Sequence, residues 1–414
     1  MENRLSFNAA PLITPTSTSP HILVVGGGVT GLITTWVLLD AGYKVTVMSK
    51  EWASYAKGQR LTSQIAGALW EFPPAVCGQH TDPISLHNSK KWCMVAYRVW
   101  DHIAADAKLS LASGVRMKKS AFFFPYPVTD NQEQLDKMRE IEASGVREFI
   151  HSGTLVQHYG ISQEYNCVDA YELLAPIIDT DRAMSWLMRF VAAKGATLVP
   201  EAVCGDLLDC EDELRIRFGA DVIVNTTGLA GQEIAADPSC YPIRGGLLRV
   251  INDGTKFPKV DAALSVSADT GHSAHTANEI IFIVPRSDRI LLLGGISEPH
   301  EWKLDYTLDS PMIKRLKSRC EAFLPGLENA QLDEEYPLAQ GLRPFRKNNV
   351  RVERELRPRR SLSDTSYGSD ISRIVHSYGH GGAGWSLSFG CAEDVLNLVE
   401  ETLAGLPPKP MALE

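Results

Sequence analysis

Residues 21–48, HILVVGGGVTGLITTWVLLDAGYKVTVM, contain the pattern that decides the fold. The apolar run at 21–25 is bounded by glycine, which is typical of a buried parallel strand. A helical stretch follows and ends near Gly42, and a second β-rich run occupies 43–48. Strand, glycine turn, helix and strand in this order predict a βαβ unit.

Three glycines between the first strand and the helix have the G-x-G-x-x-G spacing of a dinucleotide-binding turn. Gly26 permits a tight turn, Gly28 allows the backbone to approach a pyrophosphate, and Gly31 allows the helix to pack close to the strand. The helix N-terminus at Val29 and Thr30 offers N–H groups and a partial positive charge to phosphates. We therefore expect a dinucleotide site rather than a simple glycine turn.

Ser49, Lys50 and Glu51 follow the second strand, where such sites place the residue that contacts the ribose. The carboxylate of Glu51 suits a ribose hydroxyl, whereas the ammonium of Lys50 suits the 2′-phosphate of NADP. A turn with solvated charges is the third interpretation. All three are open at this stage.

Two later segments favour FAD. Asn225-Thr226-Thr227-Gly228 follows a buried apolar run, and small residues there let the backbone pass close beneath a cofactor. Gly379–Gly384 precedes a helix predicted at 385–404 and directs a second helix N-terminus at a polar or anionic group. A positive helix end of this kind stabilises a reduced anionic flavin, whereas a nicotinamide does not need it. A glycine loop that serves only as a turn is the alternative.

The composition is that of an ordinary globular protein. The 414 residues are 44% hydrophobic and 22% charged, which excludes disordered and collagen-like chains. The net charge of −9 gives no general attraction to nucleic acid or anionic membranes. The longest apolar run, near 22–33, is interrupted by four glycines, so no membrane-spanning helix is expected.

Cysteine usage indicates the compartment. The eight cysteines are scattered, without C-x-x-C or zinc-ligand spacing, and we expect reduced core thiols. The residues Met411–Glu414 do not form the peroxisomal S-K-L signal. We therefore expect an intracellular, cytoplasmic protein.

Eight segments between about residues 21 and 402, taken together and in order, resemble the D-amino-acid oxidase group of FAD oxidoreductases. They are HILVVGGGVTGL, RLTSQIAGALWEFPP, APIIDTD, DVIVNTTGLAG, IRGGLLRV, LLLGGI, GLRPFRKNNVRVERE and VHSYGHGGAGWSLSFGCAEDV. The last two are the most specific.

This resemblance implies an α/β protein in which a Rossmann-type FAD-binding domain is interleaved with an α+β substrate domain carrying an antiparallel sheet. The expected FAD-binding domain comprises residues 21–75, 166–232 and 336–404, and the expected substrate domain comprises 76–165 and 233–335. Residues 1–20, rich in proline, serine and threonine, are expected to form a loose arm, and residues 405–414 a C-terminal tail.

The same resemblance implies the roles of individual residues. In GLRPFR, Arg343 matches the arginine that binds the substrate carboxylate, for which a planar guanidinium is well suited, with a structural ion pair as the alternative. Gly382 matches the glycine whose carbonyl receives the substrate amine, and Ser386 matches a hydroxyl that bonds flavin O2. Further cofactor contacts are expected from Thr62, Ser63, Gly67, Ala68, Leu69, Val203, Thr227, Gly228, Gly381, Gly384 and Trp385.

The chain departs from the family pattern where family oxidases place a tyrosine against the substrate. Phe282 stands at that position, and no tyrosine occurs between Tyr241 and Tyr306. His272 and His275 are candidates for polar contacts in this region, with ordinary loop residues as the alternative.

A second departure follows Trp70, a residue also expected at the substrate pocket. Glu71 occupies the position where pig-type enzymes have glutamine. A carboxylate at the pocket mouth would favour a cationic or amino-bearing substrate, unless Glu71 is a salt-bridged rim residue.

The activity implied by the resemblance is oxidative deamination of a D-amino acid. Hydride transfer to flavin N5 and hydrolysis give a 2-oxo acid and ammonia, and molecular oxygen is reduced to hydrogen peroxide. The missing hydroxyls favour apolar side chains, and FAD is expected to bind non-covalently. One alternative is a family member that oxidises a secondary amine, a glycine-type substrate or another amine metabolite. The other is a flavin-binding protein without catalysis. The oligomeric state is open, with a homodimer as one option.

Overall fold

A computed structural model describes residues 1–55, 58–75, 83–266, 280–347, 349–359 and 371–411. The strands in this part of the chain are β1 (His21–Val25), β2 (Lys44–Met48), β3 (Val115–Phe124), β4 (Arg147–His151), β5 (Asp169–Ile178), β6 (Thr197–Val199), β7 (Val222–Asn225), β8 (Cys240–Ile251), β9 (Ala263–Val266), β10 (Ile281–Pro285), β11 (Ile290–Gly294), β12 (Glu298–Pro299), β13 (Leu338–Arg346), β14 (Arg351–Arg354) and β15 (Ile374–Tyr378). The helices are α1 (Val29–Asp40), α2 (Thr62–Ile65), α3 (Pro83–Ala105), α4 (Ala107–Ser113), α5 (Gln132–Ala143), α6 (Thr154–His158), α7 (Thr180–Ala193), α8 (Glu211–Phe218), α9 (Gly231–Ile234), α10 (Pro311–Phe323) and α11 (Gly384–Leu403).

The first sheet has six strands in the order β14-β15-β7-β1-β2-β6. The pairs from β15 to β6 are parallel, and β14 is antiparallel to β15. β1 aligns with β2 from His21 opposite Lys44 to Val25 opposite Met48. Parallel sheets carry helices on their faces, which explains the continuous apolar sequence of β1. The βαβ unit predicted from residues 21–48 is confirmed.

The turn between β1 and α1 requires glycine at two positions. Gly26 has φ +119°, and a Cβ there would lie 2.6 Å from the Thr226 carbonyl oxygen. A Cβ on Gly31 would lie 1.9 Å from the Gly26 carbonyl oxygen. Any side chain at Gly31 would therefore push α1 away from the end of β1, as the sequence predicts.

The second sheet has nine strands in the order β12-β8-β11-β10-β9-β3-β5-β4, with β13 also paired to β8. Its pairs are antiparallel except for β3 with β9. β5 and β13 lie in this sheet, although the sequence assigned 166–232 and 336–404 to the FAD-binding domain. The reason is long pairing, since β5 pairs with β3 and β13 with β8 along their whole lengths.

The N-terminal arm is held more firmly than its composition suggests. The carboxylate of Asp40, at the end of α1, accepts the backbone N–H groups of Ser6 at 2.8 Å and Leu12 at 2.9 Å. Lys194 donates to Asp40 at 2.7 Å and to the Ala10 carbonyl at 3.1 Å. The side chains of Asp40 and Lys194 are both 0% exposed. A buried charged pair thus fixes the arm, which the sequence predicted to be loose.

Two further observations concern composition. Within the described ranges, no helix is long and apolar enough to cross a membrane. The seven cysteines that the structure describes are free thiols, as the scattered spacing predicted.

Candidate active site

A cavity of about 790 Å³ opens where the two sheets meet. One wall comes from the residues that follow β1, β2, β7 and β15, so it lies at the carboxyl ends of the parallel strands. Open α/β sheets bind their ligands at this edge. The opposite wall comes from β8, β10 and β13 of the second sheet.

The cavity brings together nearly all the residues that the sequence assigned to the site. Arg343, Gly382, Phe282 and Glu71 line it. The predicted cofactor residues that line it are Gly26, Gly28, Val29, Thr30, Ser49, Lys50, Glu51, Thr62, Ser63, Gly67, Ala68, Leu69, Val203, Thr227, Gly228, Gly381, Gly384, Trp385 and Ser386. Gly31 lies behind the wall, where it allows the helix to pack.

Two helix N-termini face the cavity. α1 begins after Gly28 and α11 begins after Ala383, and residues of both first turns line the wall. The N–H groups and partial positive charge of a helix start favour anionic or polar ligand groups. The α1 start is held in place because the Val29 N–H donates to the Ser63 hydroxyl at 3.0 Å.

The cavity fits a dinucleotide such as FAD. The close approaches at Gly26 and Gly31 hold the turn tightly against Thr226 and the end of β1, so that bare backbone at Gly26, Gly27 and Gly28 lines the cavity. Ser377 also lines the cavity, and its buried hydroxyl has no hydrogen-bond partner among the described residues. An unpartnered buried hydroxyl carries a free-energy cost that a bound polar group would remove.

Arg343 points its guanidinium at the cavity from β13. It is half-buried and donates from Nη1 to the Ile296 carbonyl at 3.0 Å. A Cβ on Gly245 would approach both Nη atoms to 2.6 Å, so glycine leaves the room in which the guanidinium lies. Within the described part of the chain Arg343 has no salt bridge, whereas Arg346 pairs with Asp237 at 2.6 Å. The ion pair on this part of β13 is thus formed by Arg346, and the described residues provide no ion-pair partner for Arg343.

The glycine loop before α11 lies directly beside Arg343. The Gly381 N–H donates to the Pro344 carbonyl at 2.8 Å, and Phe345 forms a β-bridge with His380. These contacts fix the loop on β13. The strand that carries Arg343 and the loop that carries the exposed Gly382 are thus joined, and both residues line the cavity.

Phe282 forms an apolar wall in place of a tyrosine. A Cβ on Gly67 would lie 2.6 Å from its ring, and a Cβ on Gly294 would lie 2.2 Å from it. The ring is thus held between two backbone segments, one of which carries predicted cofactor residues. Leu69 and Leu247 extend this apolar surface.

The structure corrects the expectation for Trp70 and favours, for Glu71, the alternative of a salt-bridged residue. Trp70 does not line the cavity; it is 2% exposed and packs against Tyr97 in the core, with 5.0 Å between ring centroids. Glu71 does line the cavity, but Lys137 donates to its Oε1 at 2.9 Å. Burial opposes the charge of Lys137, yet the Glu71 carboxylate keeps the pKa of this lysine above its ordinary value. The negative charge expected at the pocket mouth is therefore balanced.

A buried network supports the cofactor side of the cavity, and the sequence did not predict it. Thr227 donates its N–H and hydroxyl to Asn225 Oδ1, at 3.1 and 2.8 Å. His376 lies 3.2 Å from the Asn225 amide through Nδ1 and 3.2 Å from Glu355 through Nε2. Burial lowers the pKa of His376 to about 4, so the ring is neutral at pH 7. The neutral ring then accepts from Asn225 and donates to Glu355.

Arg286 is a second support that sequence reasoning missed. It is 2% exposed and donates from Nη2 to the Ala66 carbonyl at 2.6 Å, directly before the segment that begins at Gly67. It also donates to Thr180 and to the Ile178 carbonyl. Burial lowers the pKa of Arg286 to about 10, which still leaves it charged at neutral pH. His272 and His275 lie outside the described residues.

A parallel sheet with a glycine cradle, two helix starts at one cavity and an opposing antiparallel sheet together define a flavin-type oxidoreductase fold. Comparison with known families agrees. Residues 21–398 match the DAO family, described as FAD dependent oxidoreductase. The chain belongs to this FAD-dependent family, which confirms the resemblance seen in the sequence and its expected cofactor and fold class.

Curated relatives carry the same type of name. The chain is 30% identical over 380 residues to a D-amino-acid oxidase from Streptomyces coelicolor, covering 91% of this chain and 96% of the relative. It is 28% identical over 388 residues to a D-amino-acid oxidase from Rubrobacter xylanophilus, covering 92% and 96%.

Solved structures share the fold at lower identity. A glycine oxidase from Bacillus cereus superposes with a TM-score of 0.64 at 15% identity, covering 95% of this chain and 100% of the other. An iminodiacetate oxidase from Chelativorans superposes with a TM-score of 0.66 at 13% identity, covering 94% and 96%.

Proposed function

We propose that this protein oxidises D-amino acids, converting substrate, oxygen and water into a 2-oxo acid, ammonia and hydrogen peroxide. The observation that carries the proposal is Arg343, a preorganised guanidinium at the cavity with no ion pair among the described residues. The names of the curated relatives support the same substrate class. FAD, when bound, supplies the acceptor for the two electrons removed from the substrate.

Arg343 binds the substrate carboxylate. A guanidinium presents two parallel N–H donors, which match the two oxygens of a carboxylate. Its bond to the Ile296 carbonyl and the space above Gly245 hold the group in one orientation. Orientation fixed before binding reduces the entropy that the reactive complex must lose.

The Gly382 carbonyl orients the substrate amine. Gly382 is exposed at the cavity in a loop that hydrogen bonds to β13, the strand that carries Arg343. A carboxylate held by Arg343 and an amine held by Gly382 fix two of the substituents of the α-carbon. These two contacts, together with the apolar wall that receives the side chain, give the three fixed directions needed to select one enantiomer, and catalysis is then mainly positioning.

The side-chain end of the substrate meets an apolar wall. Phe282, Leu69, Leu247 and Ile65 line the cavity, and Phe282 has no hydroxyl that would lose a hydrogen bond. Burial of apolar area stabilises binding by about 25 cal/mol per Å². We therefore propose that apolar D-amino acids, such as D-methionine and D-phenylalanine, are preferred over D-aspartate.

An anaerobic substrate panel tests this function. The holoenzyme is mixed with D- and L-methionine, D- and L-alanine, glycine, iminodiacetate and D- and L-proline, and loss of the oxidised flavin absorbance is followed. The proposal predicts fast reduction by D-methionine and none by L-methionine. Faster reduction by glycine or iminodiacetate would instead establish a glycine-type or secondary-amine oxidase. If no compound reduces the flavin, the remaining hypothesis is a flavin-binding protein without catalytic activity.

A further inference from the structure

We propose that Glu71 and Lys137 form a charge pair that excludes charged substrate side chains of either sign from the cavity. The inference deepens the proposed function, on which it rests, because it names the determinant of the substrate class.

The pair lies at the cavity wall and is largely shielded from solvent. Glu71 lines the cavity and its side chain is 14% exposed, whereas the side chain of Lys137 is 7% exposed. Lys137 Nζ lies 2.9 Å from Glu71 Oε1 and 2.8 Å from the Pro74 carbonyl oxygen. The ammonium is therefore one hydrogen bond away from the carboxylate of a residue that lines the cavity.

Lys137 is an unusual residue for its helix. α5 is polar, and its other inward residues in the described structure are Met138 and Ile141. A lysine directed inward with them loses most of its hydration, which is unfavourable unless a partner charge is present. The only carboxylate with which Lys137 forms a salt bridge in the described residues belongs to Glu71.

The paired state discriminates against both signs of charge. A ligand carboxylate near Glu71 is repelled by it, and a ligand ammonium near the pair meets a carboxylate already compensated by Lys137. Either charged group also loses its hydration on entering the cavity, and the opposite charge it meets at this wall is already paired within the Glu71–Lys137 salt bridge. Removing Glu71 takes away the carboxylate that compensates the Lys137 ammonium, which favours ligand carboxylates. Removing Lys137 takes away the ammonium that compensates Glu71, which favours ligand ammonium groups.

A purely structural ion pair makes a different prediction. If the pair served only to dock α5 on the segment that contains Glu71 and Pro74, both neutral substitutions would lower stability. Neither would change the order in which charged ligands bind. The sign of the selectivity change is therefore the decisive readout.

Three five-carbon carboxylates measure that sign without any turnover: pentanoate, glutarate and 5-aminopentanoate. They share the carboxylate that Arg343 binds and end in a methyl, a carboxylate or an ammonium group. Their dissociation constants are measured by titration calorimetry with FAD-loaded protein. The wild-type protein is expected to bind pentanoate at least tenfold more tightly than either charged ligand.

The variants are Glu71→Gln and Lys137→Met, with the double variant as the matched control. Glu71→Gln should raise the affinity for glutarate relative to 5-aminopentanoate by roughly tenfold or more. Lys137→Met should change the same ratio by roughly tenfold or more in the opposite direction. The double variant, which restores a neutral wall, should keep the wild-type order.

A reversed pair covers the case in which a single variant does not fold. Glu71→Lys combined with Lys137→Glu keeps the salt bridge and places the positive charge at the cavity wall. It should shift selectivity toward glutarate. Unchanged selectivity in the reversed pair, or in both single variants, overturns the proposal.

The two proposals fail in distinguishable ways. If the selectivity shifts occur but no D-amino acid reduces the flavin, the charge pair stands and the proposed oxidase activity fails. If D-methionine is oxidised and the ligand ratios do not change, the oxidase activity stands and the charge pair fails.

Discussion

The substitution Arg343→Lys tests whether the guanidinium binds the substrate carboxylate. Lysine keeps the positive charge but replaces the planar pair of donors with a single flexible ammonium. The bond to the Ile296 carbonyl, 3.0 Å in the wild-type protein, then competes with the carboxylate for that ammonium. Arg343→Met removes the charge altogether and leaves the backbone pairing of β13 unchanged.

The magnitude follows from the desolvation of the contact. Removing one partner of a buried charged pair typically costs about 2–5 kcal/mol, which is roughly 30-fold to several thousandfold in affinity. Arg343→Met should lower kcat/KM for D-methionine by this amount. Arg343→Lys should lower it by roughly 10- to 100-fold, since about half of the interaction is kept.

Arg346→Lys is the matched control because it makes the same chemical change three residues further along β13. Arg346 pairs with Asp237, and its aliphatic part packs on Gly379, so this variant should affect stability and leave KM for D-methionine within about threefold. The assay is steady-state oxygen consumption at saturating and subsaturating substrate, with FAD content measured for each variant. Near-normal KM in Arg343→Met, with FAD retained, would refute the carboxylate contact.

Three further predictions concern the pocket, the cofactor cradle and pH. Phe282→Tyr should improve kcat/KM for D-alanine relative to D-phenylalanine by roughly three- to tenfold, the value of one hydrogen bond; an unchanged ratio would count against the apolar wall. Gly31→Ala, whose Cβ would lie 1.9 Å from the Gly26 carbonyl oxygen, should lower the melting temperature of the apoprotein. Gly28→Ala, whose Cβ would lie 3.2 Å from the Ser63 hydroxyl, should leave that melting temperature unchanged and weaken FAD binding. If both variants changed melting temperature and FAD binding equally, the separate roles of the two glycines would be contradicted. The pKa of His376 is about 4 in the folded protein and about 6.5 in the unfolded chain, so the unfolded chain binds a proton first as the pH falls. Up to about 3 kcal/mol of folding stability should therefore be lost between pH 6.5 and pH 4. Urea unfolding of His376→Gln should show a smaller loss over this range.

The β1-α1-β2 part of the first sheet was predictable because its signals are local. The apolar run of β1, the glycine turn and the start of α1 are adjacent in sequence, and each follows from backbone sterics at Gly26 and Gly31. The same holds for the glycine loop before α11.

Several strands of the second sheet were not predictable from local pattern. β5, β8 and β13 contain Pro176, Pro242 and Pro344, and β8 also contains Gly245 and Gly246. Proline and glycine inside a run normally argue against a strand. Here the glycines mark close approach, as at Gly245 beneath the Arg343 guanidinium, and long pairing with neighbouring strands overrides the weak local preference.

The supporting contacts of the site are determined by distant pairs of residues. Lys137 and Glu71 are 66 positions apart, and Arg286 is 220 positions from the carbonyl it binds at Ala66. No spacing in the sequence links such pairs, so their roles appear only after folding. The glycines of the first turn, in contrast, lie within a short motif, and Arg343 was assigned through the resemblance of GLRPFR to the family's segment.

Product stoichiometry with each enantiomer of methionine tests the central claim most directly. The FAD-loaded protein is incubated in air with D-methionine or L-methionine, and oxygen, hydrogen peroxide, ammonia and 2-oxo acid are quantified in the absence of catalase. The account predicts equal amounts of all three products from D-methionine, matched by the oxygen consumed, and no product from L-methionine. Turnover of the L-enantiomer, or peroxide formed without ammonia, would contradict it.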